Sequence, residues 1–206
     1  MIKPFGVILA GGQARRMGGG DKGRLQVGST SLLGHVCARL EPQVAGFALN
    51  ANGNPARFSD LGLPVLADSF DRFMGPLAGV LAGLDWAHAK GETLIVTVAA
   101  DTPFFPLDLV SRLLTASMEM ADPLVLAATR DGEGKTWRHP TFGLWPVSLR
   151  NDLRDHLEAG LRKVIHWSDK HHGREIIFET VPFDPFFNIN TPEDLKIAEH
   201  LLKEGE

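Results

Sequence analysis

A glycine-rich, basic segment follows an apolar run near the start of the chain. Residues 5–10 are apolar, and residues 11–20 contain five glycines together with Arg15 and Arg16, with Lys22 just beyond. Glycines let backbone N–H groups approach and surround an oxyanion, and arginine and lysine add charge that suits phosphate. Ligands of open α/β sheets bind at the carboxyl ends of strands. The segment therefore predicts a phosphate site.

Two familiar phosphate motifs fit this segment poorly. The pattern G-x-x-x-x-G-K-[ST] is absent, and Gly18-x-Gly20-x-x-Gly23 matches the dinucleotide fingerprint only formally, because it begins some eight residues after the apolar run. The second predicted strand ends in Asn50 rather than in an acid that would hold a ribose. These features disfavour a nicotinamide or flavin enzyme and leave a basic surface loop as the plain alternative.

Polar side chains end the later predicted strands. Asp101 follows the apolar run 93–99, where one carboxylate with phosphate oxygens and water suits Mg²⁺. Its alternative role is to cap a helix near residue 106. Asp68 and Asn50 end two further strands, and each alone is more often a turn residue than a ligand. Together they place polar groups along one edge of the sheet.

Two helix starts carry further candidate contacts. Gly75, Pro76 and Leu77 open a predicted helix after Asp68, where small residues permit close approach of a base or ribose, or plain packing on the sheet. Asn188 and Asn190 precede the last helix and are able to reach a metal or substrate. From the residues alone, an Asx turn is the favoured role of these two amides.

Strands and helices alternate through the first 130 residues, which indicates βαβ units on a mostly parallel sheet. We expect an α/β fold in three layers (α/β/α), with one domain over residues 1–206. Its nucleotide-binding half is residues 1–130 and its acceptor-binding half is residues 131–206. The predicted strands are 5–10, 44–49, 64–67, 93–99, 124–128, 141–145 and 176–178. The predicted helices are 32–40, 77–88, 107–118, 147–159, 161–167 and a last one capped by Thr191.

Composition excludes several classes of protein. Twenty-one basic and 25 acidic residues give a net charge of −4, so no broad positive surface exists for nucleic acid. No segment has the length and hydrophobicity of a membrane span, and the N-terminus lacks the pattern of a signal peptide. Cys37 is the single cysteine, which fits a reducing compartment. We expect a cytoplasmic protein that binds neither nucleic acid nor membrane.

The chain resembles the molybdenum cofactor guanylyltransferases, the MobA proteins, over nearly its whole length. The motifs that carry the resemblance stand in the family's order: residues 9–23, Asn50-Ala51-Asn52, Asp68-Ser69, Gly75-Pro76-Leu77-Ala78-Gly79, Asp101-Thr102-Pro103, Arg138-His139-Pro140-Thr141 and Asn188-Ile189-Asn190-Thr191-Pro192-Glu193-Asp194. Ala10-Gly11-Gly12 resembles the guanylyl enzymes, because cytidylyl relatives usually carry a second alanine in place of the first glycine. Trp137 and the loop 130–135 match no pattern of the family.

The resemblance implies a Rossmann-like nucleotide-diphospho-sugar transferase fold and transfer of GMP from GTP to the phosphate of molybdopterin, with release of pyrophosphate. It implies Mg²⁺ on Asp101 and catalytic roles for Arg16, Lys22 and Asp101. The implied GTP contacts are Leu9, Ala10, Gly11, Gly12, Lys22, Asn50, Asp68, Gly75, Pro76, Leu77 and Asp101. The implied molybdopterin contacts are Arg138, His139, Asn188 and Asn190.

Three other readings of the same residues stay open. A molybdenum cofactor cytidylyltransferase or a sugar-phosphate nucleotidyltransferase would share the fold and the phosphate loop. A carrier of GTP or molybdopterin would keep the loop without catalysis and would not need Asp101 with a metal. As partners, the resemblance implies the two substrates, with other molybdenum cofactor biosynthesis proteins and molybdoenzyme chaperones as further candidates.

Overall fold

A computed structural model describes residues 3–11, 20–70 and 74–204. The strands are β1 (Phe5–Leu9), β2 (Gln26–Val27), β3 (Thr30–Ser31), β4 (Gly46–Asn50), β5 (Val65–Leu66), β6 (Leu94–Ala99), β7 (Val125–Arg130), β8 (Thr136–Pro146) and β9 (Arg174–Phe178). The α-helices are α1 (Leu32–Leu40), α2 (Pro76–Ala89), α3 (Leu109–Ala116), α4 (Arg150–Glu158), α5 (Val164–Lys170) and α6 (Pro192–Glu204). Short 3₁₀ helices cover 22–24, 41–43, 55–61 and 147–149.

The central sheet of the described chain has seven strands in the order β5-β4-β1-β6-β8-β7-β9. Strand β1 pairs in parallel with β4 and β6, and β8 is antiparallel to both β6 and β7. Strand β5 is parallel to β4, and β9 is parallel to β7, so all the strands of this sheet except β8 run in one direction. Their carboxyl ends meet at one edge of the sheet, which we call the carboxyl edge.

Helices cover both faces of this sheet, as the alternation of strands and helices predicted. Val7 belongs to a buried cluster with α2, α4 and α5, whereas the next residue, Ile8, belongs to a cluster with α1 and α3. Successive side chains of a strand point to opposite faces, so each buried strand contributes to both cores. The prediction of a three-layer α/β/α fold with a mostly parallel sheet is confirmed.

A third, smaller core ties the last helix to the N-terminal part of the chain. Val27 and Leu32 pack with Ile189 and with Ala198 of α6. A capping box starts α6, because Thr191 N–H donates to the Asp194 carboxylate at 2.8 Å and Asp194 N–H donates to the Thr191 hydroxyl at 3.2 Å. This packing brings residues 188–190 beside residue 22.

Several predicted boundaries differ from the structure. Strand β8 begins at Thr136 rather than at residue 141, because its first half pairs with β7 through Thr136–His139 and Ala127–Arg130. The predicted helix 147–159 starts as a 3₁₀ turn, and Gly160, with φ of 100°, follows its end. The second short helix lies at 164–170 rather than at 161–167. Within the described residues, no helix combines the length and hydrophobicity that crossing a membrane requires.

Candidate functional site

A cleft with an empty volume of about 710 Å³ opens at the carboxyl edge. Ligand sites of this fold class lie in the same position, outside the carboxyl ends of the strands. Its walls come from the ends of β1, β4 and β6, the start of α2, and the segments that hold residues 141 and 188. The lining residues are Leu9, Gly11, Asn50, Asp68, Gly75, Pro76, Ala99, Asp101, Thr141 and Asn188.

Three oxygen atoms surround the ammonium group of Lys22 at one side of this cleft. Lys22 Nζ lies 2.6 Å from Asp101 Oδ2, 2.6 Å from Asn190 Oδ1 and 3.3 Å from Asn188 Oδ1. The Lys22 side chain is only 12 % exposed and that of Asp101 is 24 % exposed. Partial burial strengthens the attraction between the two charges relative to a surface pair.

The same oxygen atoms form a donor set that suits a hard divalent cation. Such ions take oxygen ligands from carboxylates, amides, phosphates and water, and they need few protein carboxylates when phosphates are present. The segment that carries the amides is fixed to the strand end, because Ile189 N–H donates to Asp101 O at 3.0 Å. Within the described residues, no cluster of three or more His, Cys, Asp and Glu side chains forms an alternative metal site.

Two asparagine amides hold the Asp68 carboxylate at the other side of the cleft. Asn50 Nδ2 donates to Asp68 Oδ1 at 2.9 Å, and Asn52 Nδ2 donates to Asp68 Oδ2 at 2.7 Å. Asn52 Oδ1 in turn accepts Asp68 N–H at 2.8 Å. Asn50 is buried and lies at the end of β4, so the network orients a carboxylate from a firmly packed strand.

The start of α2 forms the wall next to Asn50. Gly75 precedes the helix with φ of 76° and ψ of −170°, a conformation that is essentially restricted to glycine. Pro76 occupies the first helical turn, where its missing N–H costs nothing. The Leu77 side chain is fully buried in the core between α2 and the sheet. The structure therefore places Gly75 and Pro76, but not Leu77, on the surface of the cleft.

Ion pairs anchor the segment that carries Lys22. Arg57 Nε lies 2.7 Å from the Asp21 carboxylate, and Arg24 forms a bidentate pair with Asp60 at 2.5 and 2.6 Å. Arg57 and Asp60 both belong to the 3₁₀ helix at 55–61. The residues on either side of Lys22 are thus fixed to the connection between β4 and β5.

A register shift in β8 places Thr141 in the cleft. Leu126 pairs with Gly143 and Ala127 with His139, so residues 140–142 are extra residues on the β8 side. The Thr141 carbonyl accepts a hydrogen bond from the Thr97 hydroxyl at 2.9 Å. Irregularities of this kind often redirect a side chain next to a functional site.

Arg138 and His139 lie outside this cleft. Arg138 forms ion pairs with Asp169 of α5, at 2.7 Å, and with Glu175 of β9. His139 lines a second groove at the carboxyl ends of β7 and β9, with Nε2 2.9 Å from the Thr129 hydroxyl. Burial lowers the pKa of His139, although the charge of Asp184 acts in the opposite direction.

This arrangement can be compared with known proteins. Residues 6–174 match the family described as the MobA-like NTP transferase domain. The chain belongs to this family. It is 50% identical over 199 residues to a molybdenum cofactor guanylyltransferase of a Bradyrhizobium species, covering 95% of this chain and 92% of the relative. It is 48% identical over 203 residues to the protein of that name from Mesorhizobium japonicum, covering 96% and 95% of the two chains.

A solved structure supports the same fold. Molybdopterin-guanine dinucleotide biosynthesis protein A from Archaeoglobus fulgidus superposes with a TM-score of 0.73, at 21% identity, over 97% of this chain and 99% of that one. At this level of identity the likeness concerns the fold. The MobA-like fold therefore agrees with the architecture predicted from the sequence.

The structure brings most of the predicted site residues of this MobA-like chain together. The residues that line the cleft or surround Lys22 are Leu9, Gly11, Lys22, Asn50, Asp68, Gly75, Pro76, Asp101, Asn188 and Asn190. Ala10 lies beside them, next to Lys22 and Asp101 in an adjoining pocket. Gly12, Arg15 and Arg16 fall outside the described residues, so their roles stay predictions.

Sequence reasoning assigned no role to three residues that shape the site. Asn52 holds Asp68, Arg57 holds Asp21, and Thr141 lines the cleft. The position of Asn52 in the sequence could have indicated a site role, since it stands two residues after Asn50 at the end of the same strand. No sequence feature indicated a role for Arg57, because an arginine 36 residues away from its partner resembles any other surface cation.

Proposed function

We propose that this chain is a molybdenum cofactor guanylyltransferase, which transfers GMP from GTP to the phosphate of molybdopterin. The observation that carries the proposal is the meeting of Lys22, Asp101, Asn188 and Asn190 in the cleft that also contains Asn50 and Asp68. Relatives that are 48–50% identical over almost the full chain bear this name, which supports the choice of substrates.

The proposed reaction is an in-line displacement at the α-phosphorus of GTP. An oxygen atom of the acceptor phosphate forms a new bond to the α-phosphorus. The bond between the α-phosphorus and the oxygen that bridges the α- and β-phosphates breaks. The leaving group is pyrophosphate, and the product is molybdopterin guanine dinucleotide. The acceptor phosphate is already ionised at neutral pH, so the reaction needs no general base. The protein supplies positioning and charge neutralisation.

The proposal assigns each side of the cleft to one part of GTP. Asn50, Asp68 and the start of α2 would hold the nucleoside, since they lie together away from the Lys22 cluster. Lys22 would contact the phosphates, with Arg16 of the glycine-rich segment as a second predicted cation. Cations at this position stabilise charge that develops on the transferring group and on pyrophosphate.

Asp101, together with the Asn188 and Asn190 amides, would hold Mg²⁺. The bound ion would supply charge neutralisation between two phosphate groups that otherwise repel each other. Support comes from the three oxygen donors that already converge on one ammonium ion. Lys22 would then have to exchange these oxygens for phosphate, a consequence that a metal-binding experiment can test.

The decisive experiment offers purified protein α-labelled GTP or CTP with Mg²⁺ and either molybdopterin or glucose 1-phosphate. We expect labelled dinucleotide from GTP and molybdopterin, with one pyrophosphate released for each. A preference for CTP would favour a cytidylyltransferase, and a product with the sugar phosphate a sugar nucleotidyltransferase. Binding of GTP without release of pyrophosphate would favour a carrier.

Asp101→Ala is the matched variant for this experiment. We expect loss of transfer with an unchanged thermal unfolding midpoint, because Asp101 faces the cleft and Lys22 retains two amide partners. Transfer at the wild-type rate in this variant would contradict the metal assignment. Omission of Mg²⁺ should reproduce the loss with the wild-type protein.

The proposal also covers the setting of the reaction. We propose a cytoplasmic enzyme with one domain, in which residues 1–130 bind the nucleotide and residues 131–206 bind the acceptor. The single cysteine supports a reducing compartment. Other molybdenum cofactor biosynthesis proteins and molybdoenzyme chaperones are the proposed macromolecular partners, because the product must pass from this enzyme to the enzymes that use it.

A further inference from the structure

A second groove, with an empty volume of about 900 Å³, lies at the far end of the carboxyl edge. Its lining includes Asp131 and Trp137 of the β7–β8 hairpin, His139 of β8, and Asp184 after β9. The cleft residue Thr141 and the groove residue His139 are two residues apart on β8, so the groove adjoins the cleft that contains Asp101. The groove is therefore within reach of a small molecule whose phosphate lies at Asp101.

Trp137 is an exposed aromatic side chain that the hairpin holds in place. Its side chain is 49% exposed, and its indole N–H donates to Asp131 Oδ2 at 2.9 Å. The other oxygen of Asp131 accepts the N–H groups of Glu133 and Lys135, which fixes the turn. Lys135 Nζ lies 3.7 Å from the ring centroid. A fixed ring offers a stacking surface at little cost in conformational entropy.

Asp184 provides a hydrogen-bond acceptor in the same groove. Its Oδ1 accepts Phe186 N–H at 2.8 Å, while Oδ2 has no hydrogen-bond partner in the described part of the chain. The neighbouring His139 stacks on Phe186, with ring centroids 4.3 Å apart, and burial favours its neutral form by lowering its pKa. The groove therefore combines a flat aromatic surface, a neutral imidazole and a carboxylate.

We propose that this groove binds the pterin ring of the acceptor, with Trp137 as the stacking surface and Asp184 as the acceptor for ring N–H groups. A pterin is flat and presents adjacent N–H donors on its aminopyrimidinone edge, which match a carboxylate. Trp137 and Asp184 are thus specificity-determining residues for the acceptor. The inference rests on the proposed function for the identity of the acceptor.

The test measures binding of 6-hydroxymethylpterin phosphate through quenching of its fluorescence. Trp137→Ala should raise the dissociation constant about tenfold, whereas Trp137→Phe, which keeps a ring, should raise it less than about threefold. Asp184→Asn should raise the dissociation constant about tenfold, because an amide replaces the charged acceptor. The dissociation constant for GTP should stay unchanged in all three variants.

Matched controls are Trp86→Ala and Asp155→Asn, which change the same residue types on α2 and α4. Both should bind the pterin phosphate as the wild-type protein does. With molybdopterin as substrate, Trp137→Ala should raise KM for the acceptor about tenfold and leave KM for GTP unchanged. Equal thermal unfolding midpoints for Trp137→Ala, Asp184→Asn and the wild-type protein would exclude a loss of fold.

The inference and the proposed function fail in different ways. An unchanged dissociation constant in both Trp137→Ala and Asp184→Asn, or no binding of the pterin phosphate to the wild-type protein, would overturn the inference. A wild-type protein that binds the pterin phosphate through Trp137 yet forms no labelled dinucleotide would overturn the proposed function and support the groove as a pterin site.

Discussion

The ammonium group of Lys22 lies 2.6 Å from the carboxylate of Asp101, and both side chains are largely withdrawn from solvent. Asn188 and Asn190 complete the set of oxygens around this one cation. Lys22 thus contacts the same oxygens that a metal ion at this position would need. A triphosphate offers Lys22 another partner, so nucleotide and metal should bind cooperatively.

Lys22→Met tests this coupling in two ways. We expect transfer to fall about 100- to 1000-fold, because a cation at the transferring phosphates is lost. In the absence of nucleotide, we expect Mn²⁺ to bind more tightly than to the wild-type protein, since Asp101 no longer pairs with an ammonium group. Mn²⁺ electron paramagnetic resonance measures the second effect independently of activity.

Lys90→Met is the control for this variant, because Lys90 is exposed at the end of α2 and lies over Trp86. It should change neither the rate of transfer nor the affinity for Mn²⁺. Weaker Mn²⁺ binding to Lys22→Met than to the wild-type protein would contradict the exchange of partners at Asp101.

Two glycines of α2 lie close against the sheet, Gly79 beside the site residue Asn50 and Gly83 beside the core residue Val7. A Cβ atom at Gly79 would lie 2.2 Å from Asn50 Oδ1, and one at Gly83 would lie 2.7 Å from a methyl group of Val7. We expect Gly79→Ala and Gly83→Ala each to lower the free energy of unfolding by about 1–3 kcal/mol through overpacking. Only Gly79→Ala should also weaken GTP binding, about tenfold, because Asn50 then loses its position on Asp68.

Urea unfolding and calorimetric titration with GTP separate these two effects. Gly83→Ala is the matched control, since it has the same substitution on the same helix without contact to Asn50. Equal GTP affinities for both variants would show that Asn50 does not position the nucleotide site.

The sequence was most informative where local signals agree. Helix α1 spans 32–40 as predicted, because Ser31 caps it through Gly34 N–H and its apolar residues follow helical spacing. Signals of the same kind, glycines and cations that directly follow a buried strand, predict a phosphate site at the end of β1. Lys22 and Asn190 lie 168 residues apart, and the two were predicted differently. The glycine-rich segment predicted Lys22 as a phosphate contact, whereas only the resemblance implied a site role for Asn190, because the residues alone favoured an Asx turn.

Other parts of the site depend on pairings that no local pattern encodes. The first half of β8 contains charged and polar residues and resembles a loop until its pairing with β7 is known. Thr141 enters the cleft only because of the register shift in the same pair of strands. Similarly, nothing in the sequence around Arg57 indicates that it holds Asp21.

Asp194 links the stability of α6 to the site, because its Oδ2 accepts the N–H groups of both Asn190 and Thr191 at 2.8 Å. These hydrogen bonds, the Asn190 bond above all, lower the pKa of Asp194. Loss of a cap typically costs ~1 kcal/mol, so Asp194→Ala should lower the free energy of unfolding by about this amount at pH 7.

The pH dependence of this effect has a defined sign. A carboxyl with a lowered pKa stabilises the fold above its ordinary pKa of about 3.9, and this contribution disappears as the pH falls through the folded-state value. Urea unfolding should therefore show a difference between Asp194→Ala and the wild-type protein that shrinks toward pH 3. Glu193→Ala, an exposed neighbour, should show little difference at either pH.

The thiol of Cys37 should react slowly in the folded protein. Burial raises its pKa to about 11, and the nearby Glu41 charge adds to the effect. Because the thiolate is the reactive form, we expect modification by iodoacetamide at pH 8 to be about 100-fold slower in buffer than in 8 M urea. Equal rates measured by mass spectrometry would show that Cys37 is not held against the core.

His139 provides a test of the charges in the second groove. Burial is the main cause that lowers its pKa, and Asp184 partly opposes this shift. Nuclear magnetic resonance of the imidazole should give a midpoint below the ordinary value of about 6.5, and Asp184→Asn should lower that midpoint further. Asp155→Asn, a remote carboxylate, should leave it unchanged.

The same shift connects His139 to stability. His139 binds a proton less readily in the folded protein than in the unfolded chain. The contribution of neutral His139 to the free energy of unfolding is therefore present above about pH 6.5 and is lost as the pH falls. His139→Gln should therefore lose less stability than the wild-type protein between pH 7.5 and pH 5.5. If the free energy of unfolding, measured in urea, fell by equal amounts in the two proteins, His139 would titrate alike in the folded and unfolded states. The imidazole beside Asp184 would then not be held neutral by the groove, and ring binding there would depend on pH.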